Sequence, residues 1–171
     1  MAMTTHEATG TRGFRAPVQT AALVVGVVFL LVGIAGFIPG LTTHLDMLTW
    51  AGHHSGSQLF GVFAVSVLHN LVHLAFGVVG ILAARHFRHS RAYLIGGGAI
   101  YAVLWLYGLV IDRDAAANFV PLNDADNWLH LGLAVGMIAL GALLGRYAIH
   151  TGTGAMGTPA PARTSIASTD E

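Results

Sequence analysis

The stretch Ser66-Val67-Leu68-His69-Asn70-Leu71-Val72-His73 decides how this chain is read. It lies within a 26-residue run, Leu59 to Ala84, that contains no Asp, Glu, Lys or Arg. A helix needs about 20 apolar residues to cross a bilayer, so the run predicts a membrane span. Positions 66, 69, 70 and 73 follow the i, i+3, i+4, i+7 rule and fall on one helix face. Lipid cannot pair such polar groups, so the stripe is expected to face a bundle interior or a wet cavity.

The composition around the stretch agrees. Of 171 residues, 54% are hydrophobic and 9% charged, against roughly 25% charged in an average soluble protein. Mean hydropathy is +0.67. Eight basic residues, all Arg, balance eight acidic ones, which leaves no basic excess to attract nucleic acid. The chain has no Cys, so disulfides, thiolate nucleophiles and Cys-ligated metals are excluded. Ten His are the one compositional sign of proton or metal chemistry.

Working outward, four spans are expected at about 18–38, 59–84, 93–111 and 127–145. Val18 to Ile38 is too long for a signal-peptide core and has no A-x-A site after it, so it is expected to be retained. Gly26, Gly33 and Gly36 within it suit close helix contacts. Pro39-Gly40 ends the first span. In the connection that follows, Leu41, Leu45, Leu48 and Trp50 suggest a short interfacial helix. Its His44, Asp46, His53 and His54 match no metal-ligand spacing and read as a solvated loop. Arg85 to Arg91 reads as a basic turn. Gly96-Gly97-Gly98 opens the third span and is expected to admit a neighbouring helix. Residues 112–126 read as an acidic loop, with Asp126 or Asn127 capping the fourth helix. Gly132/Gly136 and Gly141/Gly145 form two G-x-x-x-G pairs, which suit helix packing, a second copy of the chain or another membrane protein.

Residues 1–17 read as a cytoplasmic N-terminal segment, 18–146 as the transmembrane domain and 147–171 as a disordered cytoplasmic tail, rich in Ala, Thr, Ser and Pro. With four spans, Arg12, Arg15, Arg85, Arg88, Arg91, Arg146 and Arg163 share one side and only Arg113 lies on the other. The basic excess marks the cytoplasm, so the expected fold is an all-α integral membrane four-helix bundle, N-in and C-in. His69, His73 and His130 then belong to its outer half, with Tyr107, Asp112 and Asp126 at similar depth if the helices are neighbours.

Two segments carry a resemblance: Val65-Ser66-Val67-Leu68-His69-Asn70-Leu71-Val72-His73-Leu74, and the stretch from Ala116-Ala117-Asn118-Phe119-Val120-Pro121 to Asn127-Trp128-Leu129-His130-Leu131. Over about residues 18–146 the chain resembles a bacterial family of four-span membrane proteins, domain of unknown function 4383. The resemblance implies a multi-pass protein of the bacterial inner membrane. It supplies no reaction and no catalytic residues.

Three roles therefore compete for the polar cluster Ser66, His69, Asn70, His73, Asp126, Asn127 and His130. The first is interhelical hydrogen bonding, at about 0.6 kcal/mol per bond. The second is a buried proton-accepting, quinone-binding or small-ligand site with Asp126 or Asp112 at its mouth. The third is ligation of a metal or haem by His69, His73 and His130; the i, i+4 pair suits one metal, but no H-E-x-x-H or acidic ligand lies within the span. No nucleophile elbow with a carboxylate orienter and no phosphate-binding glycine loop is present. The expectation carried forward is a non-enzymatic, structural or partner-binding membrane protein with no resident cofactor, and the runner-up is a His-dependent one.

Overall fold

Glycine decides which helices pair. A computed structural model of the chain describes residues 15–146. The expected tail at 147–171 and all but the last residues of the N-terminal segment lie outside the described residues. The helices are α1 (Pro17–Ala35), α2 (Val67–Ala83), α3 (Phe87–Val110) and α4 (Asp124–Leu144). A Cβ on Gly26 would stand 2.8 Å from the backbone nitrogen of Ile81, and one on Gly77 would stand 2.6 Å from that of Leu30. Backbone thus lies against backbone, and α1 and α2 run antiparallel along this contact. Likewise Gly98 faces Ala134 and Ile138, and Gly141 faces Leu94 and Ile95, which makes α3 and α4 a second antiparallel pair. Contact within each pair is far more extensive than between pairs. Phe29, Tyr93, Leu94, Tyr101, Ala134 and Met137 fill the core between the pairs.

The expected all-α four-helix bundle is the fold, apart from three two-residue strands. Helices α1, α3 and α4 are long and apolar enough to cross a membrane, with mean hydropathies of 2.5, 1.7 and 1.7. Helix α2 has 17 residues, or about 25 Å at 1.5 Å per residue.

The second span differs from expectation at its start. Leu59 to Val65 is not helical. Strands β1 (Thr42–Thr43), β2 (Gln58–Leu59) and β3 (Phe63–Ala64) form an antiparallel sheet in that order. Phe60 and Gly61 both have positive φ, at 53° and 68°, the combination a type I′ hairpin turn demands and a helix forbids. The hairpin survives without charge because Leu59 and Val65 bury their side chains against Ala35. Ser66 is then the N-cap of α2, its Oγ accepting from the His69 N–H at 3.2 Å.

Other boundaries move for similar local reasons. The interfacial helix expected after Pro39-Gly40 is one 3₁₀ turn, Leu45–Met47. The basic turn shrinks to Ala84–His86, and α3 already includes Arg88 and Arg91; the buried Ser90 hydroxyl donates to the Ala83 carbonyl at 3.0 Å and closes the turn. Helix α4 is capped by Asn123, not Asp126 or Asn127. Asn123 accepts from the Asp126 N–H at 2.9 Å while the Asp126 carboxylate accepts from the Asn123 N–H at 3.1 Å, a reciprocal capping box. In the glycine triplet, Gly97 and Gly98 meet α4, whereas Gly96 faces open space. Gly132 and Gly136 also face open space, so that G-x-x-x-G pair meets no other helix among the described residues.

Candidate functional site

The sheet sits over the seam between the two helix pairs, and one residue, Ala64, joins it to both. The Ala64 N–H donates to Asp126 Oδ2 on α4 at 3.0 Å. The Ala64 carbonyl accepts from Nδ1 of His69 on α2 at 3.1 Å. Asn123 adds a bond from its Nδ2 to the Val62 carbonyl at 2.7 Å. Asn70, also on α2, donates to the Gly36 carbonyl at 2.9 Å and so caps the end of α1. These bonds tie the ends of three helices together through the nearly buried side chains of Asp126, His69 and Asn70 and the half-buried Asn123.

Below this junction lies a cavity of about 80 Å³. His69, Asn70, His73, Asp126 and His130 line it, with Val32, Leu59, Phe63, Leu129 and Leu133 among its apolar walls. The His69 and His73 rings lie 4.5 Å apart between centroids. Nδ1 of His73 meets the His69 carbonyl at 3.0 Å. A carbonyl oxygen can only accept, so both rings carry a proton on Nδ1, and a neutral ring then has its lone pair on Nε2. Neither Nε2 has a protein partner among the described residues. Nδ1 of His130 is buried and unpartnered as well, in a residue only 4% exposed. Asp126 uses Oδ2 twice, and its Oδ1 makes no protein bond among the described residues.

Five of the seven expected cluster residues, His69, Asn70, His73, Asp126 and His130, thus share one cavity. Ser66 does not reach it, being committed as a cap. Asn127 points elsewhere and packs its amide against Gly108. Tyr107 donates to the Ala117 carbonyl, and Asp112 accepts from the Asp114 N–H at 3.1 Å; neither lines the cavity. Arg113 pairs with Asp124 at 2.6 Å in the loop above. The Asp124 carboxylate raises the pKa of Arg113, which keeps it charged.

Two aromatic residues escaped the sequence reading. Phe29 on α1 contacts the His73 ring with centroids 5.5 Å apart. Tyr101 on α3 contacts the His130 ring at 5.3 Å and stacks on Phe29 at 5.6 Å. Tyr101 is 3% exposed, and a Tyr in the middle of the third apolar run, away from both of its ends, was the signal for it.

The metal and haem roles find little in this geometry. Among the described residues no group of three His, Asp or Glu side chains converges in a metal-holding arrangement, His69, His73 and His130 included. A cavity of about 80 Å³ is also well below the roughly 300–1,000 Å³ of cofactor and drug-sized sites.

A second, apolar groove of about 200 Å³ runs along the outside of the bundle between α1 and α4. Val24, Val25, Val28 and Phe29 line it, and it shares Val32, His73, Leu129 and Leu133 with the polar cavity. Its walls expose Val24 and Val28 to about half.

Fold and cavity together define a small helical membrane protein with a polar chamber at the seam of two glycine-packed helix pairs. The chain belongs to the family described as domain of unknown function DUF4383, whose model matches residues 19–143. No curated protein and no solved structure matches it.

Proposed function

We propose that this is a four-pass protein of a bacterial inner membrane, both termini cytoplasmic, which binds a small molecule in its His-lined cavity without transforming it. The observation that carries the proposal is the division of labour in His69 and His73. Each ring spends Nδ1 on a backbone carbonyl and leaves Nε2 unpaired at a cavity. A side chain that serves only as an interhelical link gains nothing from lining a chamber with a second, unpaired nitrogen, whereas a ligand that donates would use it.

The arginine distribution supports the orientation, since with four spans it puts the sheet end outside. Helix α2 completes the count of four. Its 25 Å or so reaches most of the hydrocarbon thickness of about 30 Å, and the sheet above it lies at the outer interface. The exposed face at Gly132 and Gly136 suits contact with a second copy or another membrane protein.

A structural role has its own support in the bonds to Ala64 and Gly36, and it fits the same residues. One experiment separates the two. Protein extracted with its native lipids and analysed by native mass spectrometry should carry a bound small molecule. That mass should disappear when Leu133→Trp fills the chamber wall. A wild type that carries no bound mass under conditions that preserve the fold would leave only the structural role.

A further inference from the structure

We propose that the polar cavity and the apolar groove form one site, and that its ligand is a long-chain alcohol: one hydroxyl head on one hydrocarbon chain. The inference rests on the binding role proposed above and adds the chemistry of the ligand.

The head follows from what the cavity offers. His69 Nε2, His73 Nε2 and Asp126 Oδ1 are acceptors without a protein partner among the described residues, and all three residues line the same small space. Asn70 spends one of its two N–H donors on the Gly36 carbonyl. Unpartnered acceptors thus outnumber the remaining donors, and a ligand that brings a donor fits the set best. A carbonyl or ether head would add one more acceptor to a set already in excess. The unpartnered Nδ1 of His130 belongs to a ring that donates through one nitrogen and accepts through the other. It can thus return a bond to the hydroxyl oxygen.

Size narrows the head further. A cavity of about 80 Å³ suits a hydroxyl and its first carbons better than a sugar or a substituted ring. An ammonium head would also donate and could pair with the Asp126 carboxylate, but its charge would have to be desolvated among Val32, Leu129 and Leu133, a cost that a neutral hydroxyl does not bear. The tail follows from the groove. It is almost wholly apolar, it opens on the flank of the bundle, and it meets the cavity at His73. A chain entering from lipid between α1 and α4 therefore ends with its head at the two histidines.

The test uses the full chain in nanodiscs, with farnesol, farnesyl methyl ether and farnesylamine as probes and the thermal midpoint as readout. Farnesol should raise the midpoint saturably, and the ether should need at least a tenfold higher concentration, having lost the donor. Val28→Trp fills the groove from an exposed position (Val28 is 51% exposed) and should fold normally while losing the farnesol response. His73→Phe keeps the ring packing, removes Nε2 and should weaken farnesol at least tenfold. An ether as potent as the alcohol, or an amine more potent than it, overturns the hydroxyl head but leaves a ligand site in place. An unchanged response in Val28→Trp overturns the tail path. If no probe shifts the midpoint while wild-type protein still carries a bound mass, the alcohol assignment fails alone. If no bound mass is found either, the binding role fails with it.

Discussion

Asp126→Ala should be the most damaging single truncation at the sheet end of the bundle. The carboxylate accepts two backbone N–H groups, from Ala64 at 3.0 Å and Asn123 at 3.1 Å, and Asp126 is 2% exposed. Hydrogen bonds to a charged acceptor contribute about 1.5–3 kcal/mol each. Their sum is reduced by the cost of keeping a charge out of water, which the alanine variant no longer bears. The expected net loss is about 3–5 kcal/mol. Asp126→Asn keeps one oxygen that can reach both donors, now as a neutral acceptor, and should lose only about 1–2 kcal/mol. Denaturant unfolding in detergent, followed by tryptophan fluorescence, measures both. The neighbouring clamp supplies a second check. His69 grips the carbonyl of the same residue, Ala64, at 3.1 Å, so Asp126→Ala and His69→Phe should be non-additive by about 0.5–3 kcal/mol. An alanine variant within about 0.5 kcal/mol of wild type, or strict additivity with His69→Phe, would refute the Ala64 junction.

Two further outcomes are expected. Gly77→Ala puts a Cβ 2.6 Å from the Leu30 backbone nitrogen and should cost about 1–3 kcal/mol or more, whereas Gly132→Ala, which meets nothing within 4 Å, should stay within about 0.5 kcal/mol; detergent unfolding curves compare them. Reporter fusions at residues 10 and 155 should read cytoplasmic and one at residue 118 should read outside, and the reverse pattern would invert the orientation.

Which helices pair was not legible, because a glycine marks a close contact without naming its partner, and Gly132 and Gly136 meet nothing within 4 Å among the described residues. Helix count was legible because it depends on long apolar runs. The polar stripe was legible for the same reason: four hydrogen-bonding side chains in an uncharged run have to face inward. What misled was the absence of charge from Leu59 to Val65. A hairpin in water alternates polar and apolar residues, but this one packs Leu59 and Val65 inward and exposes Phe60 and Val62. It therefore looks like the start of a membrane helix. The contrary signals were present. Gly61 stands where a turn needs positive φ, and Ser66 is a standard N-cap directly before the apolar run. Phe29 and Tyr101 could not be assigned to the cavity from sequence, because their proximity to His73 and His130 depends on how one helix pair rotates against the other.

The choice of histidine, and not Ser, distinguishes a chamber from a simple linkage. Ser66 shows what linkage requires: its hydroxyl accepts from a single backbone partner, the His69 N–H, and does not reach the chamber. An imidazole is different, because its two nitrogens leave opposite sides of a rigid ring. When Nδ1 is fixed on a carbonyl, the position of Nε2 is fixed too, with no rotamer freedom left to satisfy it elsewhere. His69 and His73 are both held this way, one by the sheet and one by its own helix. The same bonds that staple the sheet to the bundle therefore hold two lone pairs at a set position beside Asp126 and His130. Pre-organisation of that kind lowers the ordering cost of binding. It also explains why the junction must be rigid: a slip of Ala64 would release His69 and with it the acceptor that the chamber presents.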